Sequence, residues 1–435
     1  MKNTKIAFIP LFLLALSACG GNGGNGGNTS GGGKNNRFEL IDPTDTSMIS
    51  ANCKAYIDDM RALRDAADDP YKYHEISLNI EDSTKAYLDT GDVNGQNRTV
   101  NGQIPDRSDK SVGVELKFNV EDPKENEGYN VIVSENQDFS GHTKQFATDK
   151  TSVKAMNLFA NTEYYWKVVT DDGEESEVKS FTTGDYPRWI TARSLDGIED
   201  GRGIYNVRDM GGYMTESGKR VKQGLVYRGG EITTMSGNGH YNTITEYSKF
   251  IFRYEMNMVG GVELDLRGAS DISDGYKANG FAEDGDIEYV QYAIKSYEQT
   301  FTQTRSYVAP IFEVLKNANN KPVYYHCFGG ADRTGTIGFL LNGLLGVSYE
   351  DLVIDFELTS YSSINNEHIR NHLDGHQHQY DRWPALINQL KTDTTGGYAW
   401  DGNKLLKENI ENFLIKACSV PQNTIDTIRD IMLED

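Results

Sequence analysis

Hydrophobic and polar positions change rhythm several times along this chain. Ile6 to Leu16 is an apolar stretch preceded by Lys2 and Lys5 and interrupted by Pro10. It is too short to span a bilayer, so residues 1–18 are predicted to be a cleaved export signal. From 20 to 36, nine of seventeen residues are glycine. That composition buries nothing apolar, and 19–36 is predicted to be a flexible tether with a root-mean-square reach of about 23 Å. Ile57, Met60, Leu63 and Ala67 then recur at helical spacing, which makes 37–72 a helical lead-in.

Between 73 and 184 the period drops to two. Val112, Val114, Leu116 and Phe118 alternate with polar residues, as do Tyr129, Val131 and Val133. Turns rich in Asp, Gly and Asn separate these runs, the pattern of a β-sandwich. Thr162, Tyr164, Trp166 and Val168 form one more alternating run, an Asp-Asp-Gly turn follows, and a last strand ends at Phe181. This stretch resembles the late strands of fibronectin type III domains, which implies a spacer or docking module. From 185 to 435 strands and helices alternate: Gly224–Tyr227, Val262–Leu266, Ile287–Tyr292, a helix over 302–317, the strand Pro322–Tyr325, and an apolar helix from about Thr334. The expectation is an α/β domain with a largely parallel central sheet.

Composition narrows the function. With 43 Lys and Arg against 64 Asp and Glu, the net charge is −21. Nucleic acid is excluded as a partner, because its phosphates demand clustered cations, and polybasic docking on anionic membranes is excluded likewise. Four cysteines in 435 residues make no disulfide framework. Cys53 and Cys418 fall in different predicted domains and read as lone buried thiols.

The chemistry concentrates at 321–346. An apolar strand runs into His326-Cys327, then Phe328, Gly329, Gly330, Ala331, Asp332, Arg333, Thr334 and Gly335, and a helix begins with Ile337, Leu340, Leu341, Leu344 and Leu345 on one face. A loop at a helix N-terminus presents backbone N–H groups to a dianion, and the same field favours the Cys327 thiolate. Arg333 offers a planar fork to two phosphoryl oxygens. Thr334 is placed to donate a hydroxyl to the sulfur, and His326 to orient the cysteine backbone.

The array His-Cys-x-x-Gly-x-x-Arg-Thr-Gly resembles the signature of cysteine-dependent tyrosine and dual-specificity phosphatases. Asn206-Val207-Arg208-Asp209-Met210-Gly211-Gly212, Leu264-Asp265-Leu266-Arg267 and Asp355-Phe356-Glu357-Leu358-Thr359 resemble motifs of the bacterial tyrosine phosphatases. The resemblance implies hydrolysis of a phosphate monoester, foremost phosphotyrosine in protein, through a cysteinyl-phosphate and with no metal or cofactor. Phosphoinositides or inositol phosphates are the alternative substrates. That family often has Lys where this chain has Ala331, which weakens the polyphosphate reading. A phosphate-binding adhesion protein without catalysis is a further alternative, opposed by the intact Cys327, Arg333 and Thr334.

The leaving oxygen needs a proton. The resemblance favours Asp265 as its donor, with Asp332 second and Asp209 third; Asp209 could instead tie down the Gly211-Gly212 turn, and Asp265 could pair with Arg267 or Arg228. Trp383-Pro384 lacks the aspartate of an acid loop and is set aside. His368, His372, His376 and His378 read as a polar surface segment rather than a metal site. Leu16-Ser17-Ala18-Cys19 resembles the bacterial lipobox, which implies lipid on Cys19 and an extracytoplasmic, membrane-anchored protein.

Overall fold

The structure is a computed structural model that describes residues 37–63, 112–191, 204–232, 244–268, 280–361 and 382–434. The export signal, Cys19, the tether and His368–His378 lie outside the described residues, which belong to one unit, Arg37–Asp435.

Strands β1 (Phe38–Ile41), β2 (Val114–Val120) and β5 (Ser152–Ala155) form an antiparallel sheet in the order β1-β2-β5. A second antiparallel sheet takes β3 (Tyr129–Ser134), β4 (Thr143–Thr148), β6 (Glu163–Thr170) and β7 (Lys179–Thr182) in the order β4-β3-β6-β7. Alternation decides the buried face. Val114, Leu116 and Phe118 enter the same apolar cluster as Val131, Val133, Tyr164, Trp166 and Val168, while Glu115, Lys117 and Asn119 stay exposed. Phe118 meets Tyr129 edge-on, ring centroids 5.1 Å apart, from one sheet to the other.

The lead-in expected over 37–72 is divided between two cores. Phe38 and Leu40 alternate inward, and β1 pairs with β2 so that Phe38 faces Val120. Helix α1 (Ala51–Leu63) instead places Cys53, Tyr56, Ile57 and Met60 in the α/β core. Cys53 therefore shares that core with Cys418, although the two were expected in different domains; both are free and buried.

Five strands build the central sheet: β8 (Arg208–Asp209), β10 (Val226–Gly229), β11 (Val262–Asp265), β12 (Glu288–Gln291) and β13 (Val323–His326). Their order is β12-β11-β13-β10-β8; four are parallel and β8 runs antiparallel to β10. A separate ribbon pairs β9 (Arg220–Val221) with β14 (Leu433–Glu434). The helices are α2 (Glu246–Glu255), α3 (Glu298–Gln303), α4 (Val308–Leu315), α5 (Asp332–Leu345), α6 (Tyr349–Glu357), α7 (Arg382–Thr392), α8 (Leu406–Lys416) and α9 (Gln422–Met432).

The continuous helix expected over 302–317 is broken by a 3-10 turn at Arg305–Tyr307. Pro310 explains the break: α4 starts at Val308, so the proline falls in the first turn, where no intrahelical N–H is required. Helix α5 is buried on almost every side and stops at Gly346, whose φ of 88° an L side chain rarely adopts. Trp383 is a core residue, 1% exposed, its indole N–H donating to the Tyr349 hydroxyl at 2.8 Å. Among the described residues no helix is long and apolar enough to cross a membrane.

Candidate active site

The central strand β13, flanked by β11 and β10, delivers Cys327 at its C-terminal end, only 3% exposed. Residues 328–331 then turn the chain into α5. The carbonyls of this loop are tied back from behind. Asn206 Nδ2 donates to Gly330 O at 3.0 Å, to Gly329 O at 3.3 Å and to Thr359 Oγ1 at 3.1 Å. Arg228 Nη2 donates to Gly330 O at 2.8 Å and Ala331 O at 3.4 Å. In a planar trans peptide the N–H points opposite its carbonyl, so those same peptides turn their N–H groups to the other side, as an anion cradle requires.

Behind the braces sits Asp355. Its Oδ1 accepts from Arg208 Nε at 3.2 Å and from the Tyr213 hydroxyl at 3.4 Å, and its Oδ2 accepts from Arg228 Nη1. Burial pushes the Asp355 carboxyl up, but Arg228 and Arg208 more than offset this and leave it below the ordinary carboxylate range. Burial draws Arg208 down to about 10, so both guanidiniums are charged at neutral pH. Arg208 Nη1 also donates to Asn206 Oδ1. Two separate sequence motifs, 206–212 and 355–359, thus converge with Arg228 of β10 on one loop.

Gly330 has a φ of 66°, and a Cβ there would lie 2.3 Å from the Gly229 carbonyl carbon. The loop backbone rests directly on the end of β10. Gly330→Ala is expected to lower kcat/KM by about 10²-fold, the effect of misplacing a site by about 1 Å. Steady-state kinetics on a phosphate ester would check it.

Asp265 lies where its strand was expected, opposite His326 in the β11–β13 register, but its environment does not suit a proton donor. The carboxylate is fully buried. Oδ1 accepts from Arg267 Nε at 2.8 Å and Arg267 N at 2.9 Å; Oδ2 accepts from Arg267 Nη2 at 2.8 Å and the Tyr289 hydroxyl at 2.9 Å. Burial pushes its pKa up, but His326 and Arg267 together hold it below the ordinary value. Arg267 also pairs with Glu231 at 2.8 Å. A carboxylate held ionised by a bidentate guanidinium fixes a loop; it does not give up a proton.

Asp332 is placed differently. It opens α5 beside the loop, partly exposed, and accepts a hydrogen bond from the Tyr297 hydroxyl at 2.5 Å. Tyr297 has a φ of 53°, rare for an aromatic residue, and its N–H donates to Thr336 Oγ1 at 2.8 Å. Nothing in the sequence singled out Tyr297; a residue in an unusual turn leaves no periodic signal. Asp209 takes the turn-fixing role: Gly211 N donates to Oδ1 at 2.9 Å, and Gly224 N and Arg188 Nη1 donate to Oδ2, each at 2.8 Å. His326 Nδ1 lies 3.2 Å from Cys327 O and Nε2 lies 3.2 Å from Glu263 Oε1, so the ring holds the strand end. Thr334 Oγ1 is buried with no hydrogen-bond partner; it does not reach the sulfur in this state, contrary to its expected donation. Arg333 lies with its guanidinium 5.7 Å from the Phe328 ring centroid. Among the described residues no cluster of three metal-ligating side chains occurs.

The candidate site is thus a cysteine at the end of a central parallel strand, an arginine six residues on and a braced loop between them. The model of the tyrosine phosphatase family matches residues 200–248 and 256–434, and the chain belongs to that family. It is a phosphatase, a hydrolase of phosphorylated substrates. Among solved structures, the crystal structure of Tk-PTP in a mutant form aligns at 12% identity and a TM-score of 0.21, covering 37% of this chain and 97% of that one. No curated protein matches the chain.

Proposed function

We propose that the protein hydrolyses phosphotyrosine-like aryl phosphates through a covalent phosphate on Cys327. The observation that carries this reading is the loop after β13, its carbonyls tied back by Asn206 and Arg228. The Cys327 thiolate attacks phosphorus and forms an S–P bond as the bond to the leaving oxygen breaks. Arg333 and the loop N–H groups balance the charge on the equatorial oxygens. Asp332 protonates the leaving oxygen, the role first expected of Asp265. Water then attacks phosphorus, Asp332 accepts its proton, and phosphate leaves with the thiolate restored. Each step is complete without a metal or cofactor.

Ala331 adds no charge to the loop and Phe328 adds an aromatic face, which favours an aryl monoester over an inositol polyphosphate. The two antiparallel sheets ahead of the site are proposed to be a fibronectin type III-like sandwich; the Tyr164 hydroxyl oxygen, which accepts from Phe159 N at 2.9 Å, supports it. We further propose lipid on Cys19 and an extracytoplasmic position.

The test compares phosphate release from a phosphotyrosine peptide with that from inositol hexakisphosphate. Faster release from the peptide is expected, and the reverse order would overturn the substrate assignment. Asp332→Asn is expected to slow alkyl-like, poor leaving groups by about 10²-fold or more, and nitrophenolates far less. Asp265→Asn should affect both alike. An equal effect of Asp332→Asn on both would remove it as the acid.

A further inference from the structure

Arg188 lies outside the span matched by the family, which begins at residue 200, yet it is only 4% exposed. Its guanidinium joins three parts of the molecule. Nη1 donates to Asp209 Oδ2 at 2.8 Å and to the Tyr227 hydroxyl at 3.4 Å, and Nη2 donates to Asn157 O at 2.9 Å. The Phe159 ring centroid lies 4.2 Å from the guanidinium. Asn157 and Phe159 belong to the segment between β5 and β6, so they come from the two-sheet unit. The same segment holds the α/β body by a reciprocal pair: Ala160 N donates to Gln223 Oε1 at 2.8 Å, and Gln223 Nε2 donates to Ala160 O at 3.0 Å.

We propose that Arg188 is a positioning residue for the phosphate loop, and that the two-sheet unit is thereby a working part of the phosphatase site rather than a spacer. The proposal rests on the phosphatase reading given above. The path is short. Asp209 fixes Gly224 N, at the entry to β10, and Arg188 is the cation paired with that carboxylate among the described residues. Without it, a fully buried carboxylate keeps two amide donors and loses its countercharge, an arrangement that forces the surrounding backbone to shift. Asp209 and Tyr227 are register partners, and the next pair is Arg208 and Arg228. Those are the guanidiniums that hold Asp355, and Arg228 goes on to Gly330 O. Displacement at Asp209 therefore reaches the loop carbonyl one strand position away.

The same junction contains an internal control. Lys144 of β4 and Glu255 of α2 form a nearly buried ion pair between the same two bodies, and Lys144 also donates to Met156 O at 3.4 Å; neither side chain hydrogen-bonds to Asp209, β10 or the loop. A role limited to gluing the bodies together predicts equal damage from breaking either link.

The experiment uses the full chain. Arg188→Gln is expected to lower kcat/KM for an aryl phosphate about tenfold or more and to weaken inorganic phosphate binding, read by calorimetry, by a similar factor. Both are measured well below the variant's melting temperature. Glu255→Gln is expected to leave both quantities within about twofold, whatever it does to melting. Should Arg188→Gln not fold, Arg188→Lys takes its place. It keeps a charge for Asp209 but loses the fork to Asn157, and about threefold weaker phosphate binding is expected. Unchanged phosphate affinity in the Arg188 variant, or an equal loss in Glu255→Gln, overturns the proposal. Failure of the phosphatase reading is a separate result, a wild-type protein that binds phosphate but releases none from any ester, and the calorimetric comparison still decides the role of Arg188.

Discussion

Cys327→Ser is expected to abolish turnover of aryl phosphates, lowering kcat by about 10⁴-fold or more. A serine hydroxyl must lose its proton before it attacks, and Asp332 cannot take it, because in that step it must itself carry the proton it gives to the leaving oxygen. Both ring nitrogens of His326 already face oxygen atoms, one the Cys327 carbonyl and the other Glu263. Asp265 is committed to Arg267 and Tyr289. The cradle itself does not depend on sulfur, because Asn206 and Arg228 hold the loop through its carbonyls. Phosphate affinity in the variant is therefore expected to stay within about threefold of wild type. Phosphate release and calorimetric binding, measured side by side, check both halves. Residual turnover above about one part in a hundred would remove Cys327 as the nucleophile.

The features legible in the sequence are those written in short-range pattern. Period-two alternation marked β2 and β6, and the run from Val323 through Leu345 marked a strand, an anion loop and a buried helix. All of these follow from neighbours within a few positions. Charge pairing was not legible in the same way. Asp355 stands in a motif that shows no role for it, because Arg208 and Arg228 lie 147 and 127 residues from it. Asp265 is the acid that the resemblance favours; its partners decide otherwise, and Tyr289 comes from the neighbouring strand 24 residues on. Arg188 carried no signal at all, since its meaning depends on Asn157 from one body and Asp209 from another.

The same pairing answers how a chain of net charge −21 keeps one pocket fit for phosphate. Behind the loop, two guanidiniums share the Asp355 side chain, which leaves an excess positive charge in a region sealed from solvent. Low dielectric there makes that charge felt more strongly than the many surface carboxylates, which water screens. Arg333 and the N-terminus of α5 add to it.

Removing the Asp355 charge therefore has the largest expected effect on stability. Asp355→Ala leaves Arg208 and Arg228 buried without their shared carboxylate, and breaking a buried pair by removing one partner costs about 3–5 kcal/mol. The loss is expected in chemical denaturation at pH 7 as a lower midpoint with little change in slope. Its pH dependence has a definite sign. The folded Asp355 carboxyl titrates below its ordinary value because Arg228 and Arg208 outweigh burial. A group whose folded pKa is depressed contributes stability that is fully present above the unfolded value, about 3.9, and that fades as pH falls through the folded pKa. Asp355→Asn, nearly the same shape but uncharged, should thus be far less stable than wild type at pH 7, and the gap should narrow steadily below about pH 4. A gap independent of pH would mean that shape, not charge, holds the loop scaffold together; the phosphate loop would then owe its field to Arg333 and the helix end alone.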